Sequence, residues 1–141
     1  MSLGKWHDVE LHGRAFQFMP IIKIEDDNIR HFIPTTLKYA AALFGKKFHS
    51  DFFQFHRLEP TLAARSWKGY KILYIHNDIS QEVKGNPQGG GILWRYAPWA
   101  YFMLEKSLVG QFNHILSCNS KSAALYRQKY QSIAQRIFYL T

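Results

Sequence analysis

From residue 34 to the end of the chain, segments with helical patterning alternate strictly with short apolar segments that are typical of strands. The strand-like segments span residues 51–56, 70–75, 113–117 and 136–140. Alternating helices and short, continuously apolar strands favour a parallel sheet that helices cover on both faces. The sequence therefore predicts an α/β fold, Rossmann-like, with a mostly parallel sheet flanked by helices, in a single domain over residues 1–141.

Proline, glycine and serine residues set the predicted helix boundaries. Pro34 suits the first turn of a helix that ends at Gly45. Ser120 and Ser122 are alternative caps for the helix that follows the third strand and runs to about residue 130. The other predicted elements are strands over 6–11 and 15–24, a short helix over 59–67, a polar loop over 79–91 and an aromatic helix over 92–109.

Three of the predicted strands end in polar residues. In chain order, the three groups are His56-Arg57, His76-Asn77-Asp78 and Ser117-Cys118-Asn119-Ser120. Because the carboxyl ends of parallel strands share one edge of a sheet, we expect these groups to lie together. Open α/β sheets bind their ligands at that edge, so the sequence predicts a functional site there.

Composition excludes several classes of protein. With 47% apolar and 20% charged residues the chain is not disordered, and no apolar run reaches the ~20 residues of a membrane-spanning helix. The single cysteine, Cys118, excludes an internal disulfide and a zinc site made of cysteines, and we expect it to be buried and inert. The N-terminus lacks the pattern of a signal peptide, so we expect a cytoplasmic protein.

Charge and aromatic content leave two interpretations open. Lys and Arg number 18 against 10 for Asp and Glu, which gives a net charge of +8, and 16% of the residues are aromatic. Either a basic surface surrounds an aromatic core, or the chain binds nucleic acid, anionic lipid or a phosphorylated ligand. No RNP or helix-turn-helix pattern occurs, so nucleic acid is disfavoured as a partner. A nucleic-acid-binding module without catalysis is kept as the alternative function.

Four segments, taken in order, resemble the N-terminal domain of family 4 glycosyltransferases of the GT-B fold. Residues 72–78 (ILYIHND) are similar to that family's strand followed by a histidine, and residues 104–106 (LEK) to its helix with a Leu-Glu pair. Residues 113–120 (NHILSCNS) look like its strand with a serine-rich turn, and residues 136–141 (RIFYLT) like the last strand before the linker. The resemblance covers roughly residues 34–141.

The resemblance implies transfer of a sugar from a nucleotide-sugar donor to a hydroxyl acceptor, either a sugar or a lipid-linked glycan. It also implies that catalysis needs no metal or other cofactor, because basic side chains and helix N-termini hold the phosphates. The family's opening strand with a glycine-rich turn and its second domain with paired glutamates are not found in this sequence. We therefore expect a fragment that forms the acceptor side of the cleft and is inactive without the missing second domain.

The aromatic segment over residues 94–102 has two interpretations. It carries five aromatic residues at mixed helical spacing, which is typical of a core-packing helix. With Arg95 and Lys106 nearby, part of it could instead contact a membrane surface. Because many enzymes of the resembled family act on lipid-linked acceptors, the resemblance is consistent with a peripheral contact at the inner face of the membrane.

His76 and Asp78 are the predicted catalytic residues. In the resembled family a histidine in this kind of position lies near the sugar and the acceptor. There it can hydrogen-bond a sugar hydroxyl or stabilise the transition state electrostatically. The alternative is a histidine satisfied by a backbone carbonyl. Asp78 could orient the imidazole or accept the acceptor's proton, and the alternative for Asp78 is a turn-forming role.

The predicted substrate-binding residues are His56, Arg57, Asn77, Ser117 and Asn119. The Arg57 guanidinium suits a phosphate or carboxylate, and an ion pair with Glu59 is its alternative. Ser117 lacks the Gly-x-Ser-x-Gly turn of a nucleophile, which leaves helix capping as the alternative to substrate binding. No metal site is predicted, because spacings such as His-Glu-x-x-His do not occur.

Overall fold

Strands and helices alternate as expected in the computed structural model, which describes residues 2–23, 33–76 and 98–140, with no side-chain description for 33–36 and 98. The strands are β1 (His7–Leu11), β2 (Arg14–Phe18), β3 (Phe52–Phe55), β4 (Tyr70–Ile75), β5 (His114–Ser117) and β6 (Ile137–Tyr139). The α-helices are α1 (Ile33–Leu43), α2 (Pro98–Leu108) and α3 (Ser120–Lys129), and the 3₁₀ helices are Glu59–Ser66, Val109–Gln111 and Gln131–Arg136. The predicted loop over 79–91, together with Asn77 and Asp78, lies outside the described residues.

Strands β3 to β6 form one four-stranded sheet, and their order in space follows their order in the chain. Each neighbouring pair is parallel, with Phe55 opposite Leu73 and Ile75 opposite Ser117. The prediction of an α/β fold with a parallel sheet flanked by helices is therefore confirmed, and the architecture is compatible with a Rossmann-like fold. The predicted helix over 59–67 forms as a 3₁₀ helix instead of an α-helix.

The first two strands form a separate antiparallel hairpin. His12 and Gly13 both have positive φ, 50° and 72°, as a tight two-residue hairpin turn requires. The predicted strand over 15–24 is too long, because β2 ends at Phe18. Pro20 has no N–H to donate to a strand ladder, and its carbonyl instead accepts from Gly4 N at 2.7 Å.

One face of the parallel sheet carries the hydrophobic core. Leu73, Ile75, Ile115 and Ile137 point to this face and are almost completely buried. The side chains that pack with them come from the helices and their flanks, and include Tyr101, Leu108, Val109, Phe112, Ala123, Tyr126, Tyr130 and Ile133. None of the described helices is long and apolar enough to cross a membrane.

On the opposite face of the sheet several large side chains are exposed, whereas Ile72 is only 9% exposed. A row of rings crosses it from strand to strand, with centroid distances of 5.9 Å from Phe52 to Tyr70, 5.6 Å from Tyr70 to His114 and 5.2 Å from His114 to Phe138. Phe52 is 50% exposed and Phe138 is 41% exposed.

Leu108→Ala is expected to lower the free energy of unfolding by about 2–5 kcal/mol, because Leu108 is fully buried and its removal leaves a cavity in the core. Leu37→Ala is the matched control, because the Leu37 side chain on α1 is 59% exposed. It should change the free energy of unfolding by no more than about 0.5 kcal/mol. Urea unfolding followed by circular dichroism measures both. Equal losses of unfolding free energy in the two variants would contradict the assignment of Leu108 to the core.

Candidate functional site

The three strands β3, β4 and β5 are each followed directly by a residue with a reactive or titratable side chain: His56, His76 and Cys118. Side chains alternate between the two faces of a strand. These three positions therefore continue the exposed face of the sheet at its carboxyl edge, and all three are exposed. The prediction that the polar strand ends share one edge is confirmed for them.

Hydrogen bonds join these residues and Gln54 into one row, here called the strand-end cluster (Gln54, His56, His76 and Cys118). Gln54 Nε2 lies 2.8 Å from His56 Nε2. His56 Nδ1 lies 2.9 Å from His76 Nε2, and His76 Nδ1 lies 3.6 Å from Cys118 Sγ. The row thus crosses three neighbouring strands and ends on a thiol.

The amide of Gln54 sets the direction of these hydrogen bonds. Its nitrogen can only donate, so His56 Nε2 accepts. In neutral imidazoles, His56 then carries its proton on Nδ1 and donates to His76 Nε2. The proton of His76 is left on Nδ1, and this N–H points at Cys118 Sγ.

Ring stacking holds the two imidazoles of the cluster. The His56 ring is nearly parallel to the Tyr74 ring, at 5.0 Å and 17°, and to the His76 ring, at 5.2 Å and 21°. Stacking and hydrogen bonding together fix the plane of the His76 ring and the direction of its Nδ1–H. A donor fixed in this way at the sheet edge can also serve an oxygen of a ligand that takes the place of the sulfur.

Cys118 is exposed, so the expectation that it is buried is wrong. The reason is the alternation along β5. Ser117 points to the core face and is fully buried, and the next residue must then point to the exposed face.

Ser117 and Asn119 both make contacts within the turn that follows β5. The Ser117 hydroxyl donates to the Asn119 carbonyl at 2.9 Å and accepts from Asn119 N at 3.3 Å. Asn119 Oδ1 accepts from Ser122 N at 2.7 Å, which makes Asn119 the N-cap of α3. The prediction that Ser120 or Ser122 caps this helix is therefore wrong.

Arg57 lies next to the cluster and contacts an acidic residue. Its Nη2 donates to Glu59 Oε1 at 3.4 Å, so the ion pair that the sequence left as the alternative is present. Glu59 is buried, whereas about a third of the Arg57 side chain is exposed. Burial raises the pKa of Tyr39, and the nearby Arg57 charge opposes that rise.

Glu105, from the Leu-Glu pair of the resemblance, is a buried link between two helices. Its carboxylate on α2 accepts from the hydroxyls of Tyr126 and Tyr130 and pairs with Lys129, all from α3 or its end. The Lys129 ammonium also lies 4.2 Å from the centre of the Phe102 ring. Burial, and then the Glu105 charge, raise the pKa of both Tyr101 and Tyr126.

Sequence reasoning missed two members of the strand-end cluster, Gln54 and the exposed thiol of Cys118. Strand alternation was the signal that could have found them. Residues 54 and 56 share one face of β3, and residues 116 and 118 share the same face of β5. Among the described residues, no group of three or more His, Cys, Asp or Glu side chains is placed to hold a metal ion.

Comparisons with protein-family models, with curated proteins and with solved structures find no match to this chain.

Tyr126 is expected to make stability fall with rising pH in alkaline solution. Its pKa is raised above 10.0 in the folded state, so above pH 10.0 the unfolded chain loses a proton that the folded chain keeps. Above pH 10.0, the unfolding free energy of Tyr126→Phe should therefore fall less steeply than that of the parent chain, by about 1.4 kcal/mol per pH unit. Urea unfolding at several alkaline pH values measures the slope.

Tyr139→Phe, which removes a hydroxyl from a 46% exposed side chain, is the control for that experiment. Identical slopes for the parent chain and Tyr126→Phe would contradict the coupling of Tyr126 to its buried site.

Proposed function

We propose that this chain forms the acceptor side of a glycosyltransferase that moves a sugar from a nucleotide-sugar donor to a hydroxyl group. The observation that carries the proposal is the strand-end cluster, because it holds an N–H of the exposed His76 in one orientation at the carboxyl edge of a parallel sheet. Ligands of open α/β sheets bind at that edge. The order of the resembling segments along the chain adds support.

In the proposed reaction the acceptor hydroxyl oxygen attacks the anomeric carbon of the donor, and the nucleoside diphosphate leaves. The His76 N–H donates to an oxygen of the bound sugar, in place of its long contact to the Cys118 sulfur. His56 and Gln54 hold that donor in one orientation, so little reorganisation is needed as charge develops. The hydroxyl must lose a proton, and Asp78 remains our predicted acceptor for it.

A nucleic-acid-binding module remains the second candidate, because the exposed sheet face carries a row of rings. Single-strand binders combine such rings with Lys and Arg along the same groove. Lys71 is the single Lys or Arg within β3 to β6, and it is 6% exposed on the opposite face. Burial lowers its pKa, and its Nζ donates to the Arg65 carbonyl. These observations favour the transferase.

Sugar transfer from a panel of nucleotide sugars, measured with the full-length native protein, tests the proposal. We expect His76→Gln to lower kcat by about 10²–10³, the loss typical of removing one preorganised donor. His49→Gln, at an exposed histidine outside the cluster, should leave kcat unchanged.

Absence of transfer with every donor and acceptor would contradict the proposal, as would equal kcat values for the two variants. Binding of single-stranded oligonucleotides that weakens steeply with salt would support the second candidate instead.

The proposal includes a cytoplasmic location and, for a lipid-linked acceptor, contact with the inner face of the membrane through α2. Trp99, Met103 and Lys106 lie four and three residues apart, which places them on one side of the helix. Trp99 is 64% exposed, Met103 is 65% exposed and Lys106 is exposed. Exposed large apolar side chains beside a cation, in a chain of net charge +8, suit an anionic lipid surface.

Sedimentation with vesicles of neutral and anionic phospholipid tests this contact. The double variant Trp99→Ser, Met103→Ser should bind at least about tenfold more weakly, because it removes two side chains that would enter the lipid. Phe44→Ser, which removes another 64% exposed aromatic ring, is the matched control and should bind like the parent chain. No binding by the parent chain, or equal losses in both variants, would contradict the contact.

A further inference from the structure

We propose that Cys118 is a reactive thiol that exchanges with low-molecular-weight disulfides, activated by the histidines of the strand-end cluster. The site consists of several groups. The Cys118 thiol contacts the His76 imidazole. The His56 imidazole orients the His76 ring, and the Gln54 amide in turn holds His56. An N–H that two further groups hold against an exposed thiol can stabilise the thiolate form of that cysteine.

The direction of the hydrogen bonds favours negative charge on sulfur. Since the His76 proton lies on Nδ1, this N–H is directed at Cys118 Sγ across 3.6 Å. An N–H donor strengthens its hydrogen bond when the acceptor becomes a thiolate. With His56 and Gln54 donating along the same row, the His76 nitrogen that faces the sulfur carries the proton.

The position of Cys118 at the start of α3 adds a second electrostatic contribution. Cys118 directly precedes the N-cap Asn119, and the first turn of α3 contains no acidic residue. The positive end of the helix dipole stabilises a thiolate at such a position. The exposed sulfur can be reached by a small solute, which distinguishes it from a buried structural cysteine.

In the proposed exchange the low-molecular-weight disulfide is itself the oxidant. Cys118 releases its proton to water, and the thiolate attacks one sulfur of a disulfide RS–SR. The new bond joins Cys118 Sγ to that sulfur as the RS–SR bond breaks, and the leaving thiolate takes a proton from water. One protein thiol and one disulfide thus become one mixed disulfide and one free thiol.

Exchange at Cys118 has a consequence for the cluster. A group attached to Sγ occupies the space in front of His76 Nδ1, because the two atoms are 3.6 Å apart. The modification would block the donor that binds the acceptor sugar, and this consequence rests on the proposed function. The exchange itself does not depend on it and is measured without a sugar.

Reaction with dithiobis(nitrobenzoate), an aromatic disulfide that releases a coloured thiolate, tests the proposal at neutral pH. The chain has one cysteine, so the colour reports Cys118 alone. We expect the folded chain to react at least about tenfold faster than the same chain unfolded in urea. His76→Gln should slow the folded reaction about tenfold, and His56→Gln by a smaller factor.

His49→Gln is the control and should react like the parent chain, and circular dichroism verifies that each variant is folded. A folded chain that reacts more slowly than the unfolded one would overturn the proposal without any variant. Equal rates for the parent chain and a folded His76→Gln would overturn the role of the histidine. Because no donor or acceptor sugar is present, failure here is distinct from failure of the transferase assay.

Discussion

The register between the parallel strands β3, β4 and β5 is the constraint on which the candidate site depends. His56, His76 and Cys118 come from chain segments far apart in sequence, and only the pairing of their strands brings them to one row. A shift of any of these strands by one residue would turn its strand-end side chain to the other face. Burial of Leu73 and Ile115 on the core face opposes such a shift, so core packing also fixes the geometry of the site.

The two faces of the sheet have different roles because their side chains differ in chemistry. The core face is aliphatic where strands meet helices, and its few polar groups are hydrogen-bonded or paired, as Ser117 and Lys71 are. The exposed face combines rings and imidazoles, whose flat surfaces stack while their polar atoms remain available.

Most of the fold could be predicted from the sequence because its strands are short, apolar and bounded by polar or glycine residues. The apolar pattern predicts β4 at its observed limits. The exposure of Cys118 could also be predicted, from the alternation of side chains along β5. Features decided by competition between neighbours could not be predicted. Asn119 caps α3 in preference to Ser120, and the segment after residue 59 forms a 3₁₀ instead of an α-helix. Neither choice leaves a periodic signal in the sequence.

The location of the site could be predicted from the sequence, but the direction of its hydrogen bonds could not. Parallel strand ends were enough to place His56 and His76 together, because that follows from topology alone. The direction of the hydrogen bonds depends on Gln54, and a glutamine within an apolar strand gives no sequence signal of its role.

Both proposals depend on one N–H, that of His76 Nδ1. One N–H donates well to only one acceptor at a time, because a hydrogen bond weakens steeply away from linearity. The His76 N–H can therefore serve either the Cys118 sulfur or an incoming oxygen. A thiol sulfur is a weak acceptor, so an oxygen at ordinary hydrogen-bonding distance would compete well for the donor that faces Sγ at 3.6 Å. Under the proposed function, an oxygen of the sugar would displace the free thiol from this donor. A sulfur that carries a covalent group would not give way, so the mixed disulfide would block sugar binding.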